Sequence, residues 1–166
     1  MISKKQIFVF IFLILSLCSV SFSPSFGEKL KRPSQADSLE NKEIAKSLSE
    51  IDTLLVIHFH NTVQCSCCIN VGNFSKIALE KYFKELYQKK RIIFRECNLD
   101  EDSITANRYK VFHSTLVFNK IIKKKDYFKE MEWVWDLCEN KDKFVKKFQV
   151  ELKNFILNQD NKIKNR

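Results

Sequence analysis

Thr53-Leu54-Leu55-Val56-Ile57-His58-Phe59, then His60-Asn61-Thr62, then Cys65-Ser66-Cys67-Cys68, is the stretch on which the fold turns. The first seven residues are short, apolar and rich in strand formers, as in a strand covered on both faces. The polar turn that follows leads into a long helical pattern. Val71, Phe74, Ala78 and Tyr82 make one stripe, and Leu79, Phe83 and Leu86 widen it. The cysteines therefore fall where a strand hands over to the amino end of a helix. Backbone N–H groups without intrahelical partners and a partial positive charge collect there. Both stabilise a thiolate, so Cys65 is the candidate nucleophile, and Cys68, one helical turn on, is the candidate resolving thiol. Cys67 adds a third sulfur that modulates the pair or offers another pairing.

Outward from this junction, Asp37 with Glu40 reads as a capping box, and Ile44, Leu48 and Ile51 follow at helical spacing. A first helix is expected over about Asp37 to Ser49. Downstream, Arg91 to Leu99 reads as a second strand. The acidic turn Asp100-Glu101-Asp102 opens a short helix to Tyr109. Ser114 to Phe118 is a third strand, and Ile121 to Glu130 an antiparallel fourth with a lysine-rich turn. Trp133 and Trp135 precede a closing helix marked by Phe144, Phe148, Leu152 and Phe155. Strands that alternate with helices imply parallel pairing with right-handed crossovers, and two trailing strands add an antiparallel edge. The expected class is α/β: a thioredoxin-like domain with a mixed sheet of about four strands flanked by helices.

The amino terminus reads differently. Lys4 and Lys5 precede a nearly uncharged apolar run from Gln6 to Ser23, the pattern of a secretory signal peptide. Ser25 and Gly27 put small residues at −3 and −1 of a cut before Glu28, whereas a cut after Ser23 would place Pro24 at +1. Cys18 suggests lipidation, but bulky Leu17 stands beside it. The expected organisation is a signal peptide over 1–27, a polar tether over 28–36, the domain over 37–158 and a disordered tail over 159–166. The protein is then extracytoplasmic, periplasmic or secreted, and tethered to the membrane if the segment stays uncleaved. Loss of residues 1–27 lowers the formal net charge from +9 to +7 by removing two lysines and no acid. The remaining lysines are scattered among glutamates along helical stretches, as on solvated faces, so no nucleic-acid partner is expected.

Other residues have competing roles. Cys65, Cys67 and Cys68, with His58 and His60 upstream, form an alternative soft-metal ligand set, although no second Cys/His pair at zinc-ribbon spacing exists. Cys97 and Cys138 read as buried small hydrophobes. Without Cys18 five cysteines remain, so at least one thiol is free or pairs with a partner. His58 reads as a satisfied core histidine. His60, next to the cluster, is placed to stabilise a thiolate or relay a proton, and His113 is placed to face the cluster. No cofactor is called for.

Phe59-His60-Asn61 leading to the cysteine motif, Ala78-Leu79-Glu80-Lys81-Tyr82-Phe83, Asn98-Leu99-Asp100-Glu101 and Trp133-Val134-Trp135-Asp136-Leu137 together resemble a known group. It is the small exported thioredoxin-like family labelled nitrophenyl compound nitroreductase subunit ArsF. The resemblance spans about Leu54 to Phe155 and implies a protein thiol or disulfide partner, or a reductase complex. Three departures from thioredoxins proper follow from it. Val63-Gln64 stands where a tryptophan precedes the first cysteine, and His58 takes the place of a buried aspartate. Ser114 replaces the proline of the cis-proline–threonine pair. A cis bond before a non-proline residue costs about 3 kcal/mol, so the peptide before Ser114 is expected to be trans and Ser114 to modulate the site. The alternative functions are the metal module and a non-catalytic interaction subunit that keeps the fold and a structural disulfide.

Overall fold

The computed structural model describes residues 35–157 and 164–165. The signal segment and all but the last two residues of the tether lie outside them. The chain runs α1 (Gln35–Glu50), β1 (Thr53–His60), α2 (Ser66–Tyr82), α3 (Lys84–Gln88), β2 (Ile92–Asn98), α4 (Ser103–Tyr109), β3 (Thr115–Ile122), β4 (Lys125–Glu130), α5 (Val134–Leu137), α6 (Lys141–Ile156) and β5 (Lys164–Asn165). The sheet order is β2-β1-β3-β4-β5. Strand β1 is parallel to β2, and the β1–β3, β3–β4 and β4–β5 pairs are antiparallel. A β-α-β unit followed by an antiparallel hairpin and a closing helix, with β1 and β3 central, is the thioredoxin-like fold. Among the described residues no helix is long and apolar enough to cross a membrane.

Strand parity assigns the two faces. Leu54 and Val56 of β1, with Leu116 and Phe118 of β3, enter one core with α1, α2 and α6. Ile57, Phe59 and Val117 point the other way, to Cys97, Tyr109, Val111 and Phe128. His58 and His60 share the parity of Leu54 and Val56, so they belong to the α2 face. Three rings of α6, Phe144, Phe148 and Phe155, are fully buried, each contributing about 1.5–3 kcal/mol of hydrophobic stabilisation. Phe144 touches Phe74 of α2 edge-on at 5.6 Å between centroids, which locks the closing helix against the cysteine-bearing one.

Three boundaries differ from the sequence reading. Helix α1 begins at Gln35, so Asp37 lies inside it and is not its cap. The long helical pattern breaks at Phe83, whose φ of −129° and ψ of 23° separate α2 from α3 while its side chain stays buried. Strand β3 continues through Ile121 and Ile122, and the hairpin reverses at Lys123-Lys124, with φ of 50° and 67°. Two positive φ angles suit a two-residue hairpin, normally made with Asn or Gly. Here the lysine-rich turn read from the sequence takes those angles, two residues later than a strand start at Ile121 implied.

Candidate functional site

Cys65 is the N-cap of α2, with extended backbone (φ −76°, ψ 168°). Its Sγ lies 3.4 Å from the Cys68 N–H and accepts from it. The Cys68 thiol is 3.2 Å from the same sulfur. Cys65 is exposed and Cys68 buried. The Cys68 N–H, and after it the Cys68 thiol, stabilise the anion and hold the Cys65 thiol below its ordinary value. The arrangement is an accessible, acidified sulfur with a sheltered second sulfur behind it. The sequence places both residues where the structure brings them together.

Cys67 departs from the expectation. Its side chain leaves the helix on another side from Cys65 and Cys68 and is disulfide-bonded to Cys138, with Cα atoms 5.1 Å apart. Cys138 is therefore a bridged residue and not the free buried thiol read from the sequence. Asn70 Nδ2 also donates to the Cys138 carbonyl at 3.0 Å, a second tie between the first turns of α2 and the end of α5. With its sulfur in the bridge, Cys67 is no thiolate ligand, and the Cys65/Cys67/Cys68 metal set lacks its third donor. Among the described residues no group of three or more His, Cys, Asp or Glu is arranged to hold a metal ion. Cys97 is a free buried thiol, and burial raises its pKa.

His58 is buried, at 2% exposure, but it is not the satisfied core histidine expected. Among the described residues no group meets hydrogen-bond geometry at either ring nitrogen, although the Cys68 main chain lies near the ring. Burial, reinforced by the neighbouring His60, pulls its pKa from 6.5 to about 4. The ring packs against Gly72 of α2; a Cβ at that position would stand 2.8 Å from His58 Nδ1. A glycine inside a helix costs about 1 kcal/mol relative to alanine, and here it makes room for the imidazole. His60 lies beside His58, with ring centroids 5.3 Å apart, and its Nδ1 is 2.9 Å from the Asn61 carbonyl.

The loop before the cysteines is held from two sides. Asp100 accepts from Asn61 Nδ2 at 3.0 Å and from the Thr62 N–H at 2.8 Å. Those bonds, the Thr62 N–H first, hold the Asp100 carboxyl below its usual value. Ser114 Oγ donates to Asn61 Oδ1 at 3.4 Å, so Ser114 borders the loop that leads to the cysteines. No peptide among the described residues is cis, the one before Ser114 included. His113 Nε2 lies 2.9 Å from Glu130 Oε1 at the end of β4.

Sequence reasoning missed the Cys67–Cys138 bridge, the Asp100 clamp and the His58–Gly72 contact. The first had no signal beyond cysteine parity. The last had one, a lone glycine in a helical stripe.

No family model matches the chain, and no curated protein does. Among solved structures it is similar to the thioredoxin of Trichomonas vaginalis, at 21% identity over 70% of this chain and 94% of that one, with a TM-score of 0.38. The fold assignment rests on the strand order and directions described above.

Proposed function

We propose that this chain is an extracytoplasmic thiol–disulfide oxidoreductase, or the redox subunit of a reductase system, acting on a protein disulfide partner. The observation that carries this reading is the 3.2 Å separation of Cys65 and Cys68 with Cys65 capping α2. The Cys65 thiolate attacks one sulfur of the partner's disulfide, forming a mixed disulfide and releasing one partner thiolate. Cys68 then attacks Cys65 Sγ, which breaks the mixed bond, frees the second partner thiol and leaves a Cys65–Cys68 disulfide. Two electrons pass from the dithiol to the partner, and the reverse sequence oxidises a partner dithiol. A thiol pair held this close needs little movement to close.

Compartment and partner belong to the same proposal. The amino-terminal pattern supports export, and the Cys67–Cys138 bridge supports an oxidising compartment, where such bonds persist. The resemblance to the nitroreductase-subunit family motivates a reductase partner. Insulin disulfide reduction tests the chemistry: Cys65→Ser should abolish it, and Cys67→Ser should leave much of it. Equal loss in both variants would overturn the role assignment and favour a non-catalytic subunit. Partners caught as mixed disulfides by Cys68→Ser would identify the substrate.

A further inference from the structure

We propose that the end of the domain opposite the cysteines docks on an anionic phospholipid surface, and that the domain rests there with Cys65 turned away from the lipid. The thiol chemistry proposed above is not required for this. Two independent observations carry it: where strand register gathers the lysines, and which backbone angles those lysines take.

Strand β1 enters the sheet at Thr53 and delivers the chain to the cysteines after His60, so its start marks the far end. Thr53 stands opposite Ile121 of β3, and Leu54 opposite Ile92 of β2. The same end therefore receives Lys89 and Lys90, which join α3 to β2, and the Lys123-Lys124 turn with Lys125 behind it. Lys110, the C-cap of α4, comes close to it, because Arg108 and Tyr109 just before it bond Asp126 and Asn119. These lysines are all exposed. Of the acids at this end, Glu85 is paired with Lys89 and Asp126 with Arg108, and Glu50 and Asp52 are exposed between α1 and β1. The cysteine end is the reverse. Asp100 and Glu101 follow β2, Glu130 closes β4, and Glu132, Asp136 and Glu139 flank or lie in α5, which the Cys67–Cys138 bridge holds beside the first turn of α2. Lys141 and Lys143 open α6 among them.

The described residues with positive φ are Lys90, Lys110, Lys123 and Lys124, at 55°, 54°, 50° and 67°. A Cβ makes this region unfavourable, and glycine or asparagine is its ordinary occupant. All four sit at the basic end, so lysine stands where turn geometry alone would select another residue. Local backbone strain of this kind points to function. The charges stand on separate turns and not along one helix stripe. Long, flexible cations so arranged suit a fluid plane of phosphates, which needs no fixed spacing, better than a shaped protein partner. The separation of charge along the strands also orients the domain before such a plane, basic end inward and cysteines outward. An exported chain meets an anionic surface of this kind at the membrane it crosses.

Co-sedimentation with vesicles tests this, using protein purified after export. Mixed phosphatidylglycerol–phosphatidylcholine vesicles should bind it, pure phosphatidylcholine should bind it far less, and raising salt from about 0.05 to about 0.5 M should release it. Each basic residue near an anionic leaflet is worth about fivefold in partitioning, so Lys123→Asn/Lys124→Gly should bind about 25-fold more weakly. Asn-Gly suits two positive φ angles, so this variant should melt at or above the parent's midpoint. Lys141→Gln/Lys143→Gln removes equal charge at the cysteine end and should weaken binding less than about threefold. Iodoacetamide should alkylate Cys65 on the vesicle within about twofold of its rate in solution, because the thiol lies beyond the Debye length of the lipid charge. Equal losses from the two lysine pairs, or equal binding to the two kinds of vesicle, would overturn the proposal. Capture by polyglutamate without binding to vesicles would overturn it in favour of an acidic protein partner. Protection of Cys65 on the vesicle would overturn the orientation.

Discussion

Removing the Cys67–Cys138 bridge should destabilise the domain severely while sparing the Cys65–Cys68 thiol pair. The bridge joins residues separated by 71 positions. In the chain-entropy model, closing a loop of that length removes about 15 cal/mol/K from the unfolded ensemble, or about 4 kcal/mol at 25 °C. Cys138 is 4% exposed and belongs to the main core, so replacing it with alanine adds a small packing loss to the entropic one. For a domain of this size each kcal/mol moves the melting midpoint by about 3–5 °C. The double variant Cys67→Ala/Cys138→Ala should therefore melt about 15 °C lower. The assay is thermal unfolding by circular dichroism without reductant, beside the parent protein with and without dithiothreitol. A midpoint within about 2 °C of the parent would refute the reasoning, because the bond would then constrain nothing that the fold does not already fix.

Two further outcomes are expected. Gly72→Ala forces a methyl to within 2.8 Å of His58 Nδ1; overpacking of about 1–3 kcal/mol outweighs the helix-propensity gain of about 1 kcal/mol, so a lower denaturation midpoint in urea is expected, and a more stable variant would show that the ring yields freely. Stability should also fall as pH drops from 6.5 to about 4, because His58 stays neutral in the folded protein down to about 4 while the unfolded chain takes up its proton below 6.5. The loss should total about 3 kcal/mol. Glu96 and Asp100, both held below their ordinary values, add to it in the same direction. Urea unfolding at pH 7 and pH 4.5 measures this, and a His58→Asn variant that kept the full slope would contradict the assignment.

The site was legible where local chemistry decided it. A strand, a polar turn and a cysteine opening an apolar stripe follow from periodicity and helix-end electrostatics, and Cys65 and Cys68 stand where those rules put them. The sheet was legible because an apolar β1 has to be covered on both faces, and strand parity then fixes which residues go to which side. What could not be read depended on contacts between distant segments. The partner of Cys67 lies 71 residues away, and nothing in the Trp133–Cys138 stretch marks it as the other end of a bridge. His58 gave no sign that it would lack partners, since that is settled by what α2 presents to it. The lysine-rich turn was legible, but its exact position at Lys123-Lys124 was not, because lysines rarely take positive φ.

The pH dependence of Cys65 alkylation by iodoacetamide, followed by mass spectrometry of the Cys65 peptide, bears most directly on the thiolate that drives the proposed chemistry. The Cys68 N–H and thiol stabilise the Cys65 anion, so a midpoint clearly below the ordinary cysteine value of about 8.5 is expected. Cys68→Ala, which removes the thiol but keeps the N–H, should raise it only part of the way back. A midpoint at or above about 8.5 would mean that the helix end does not activate this sulfur, and the exchange mechanism would lose its nucleophile.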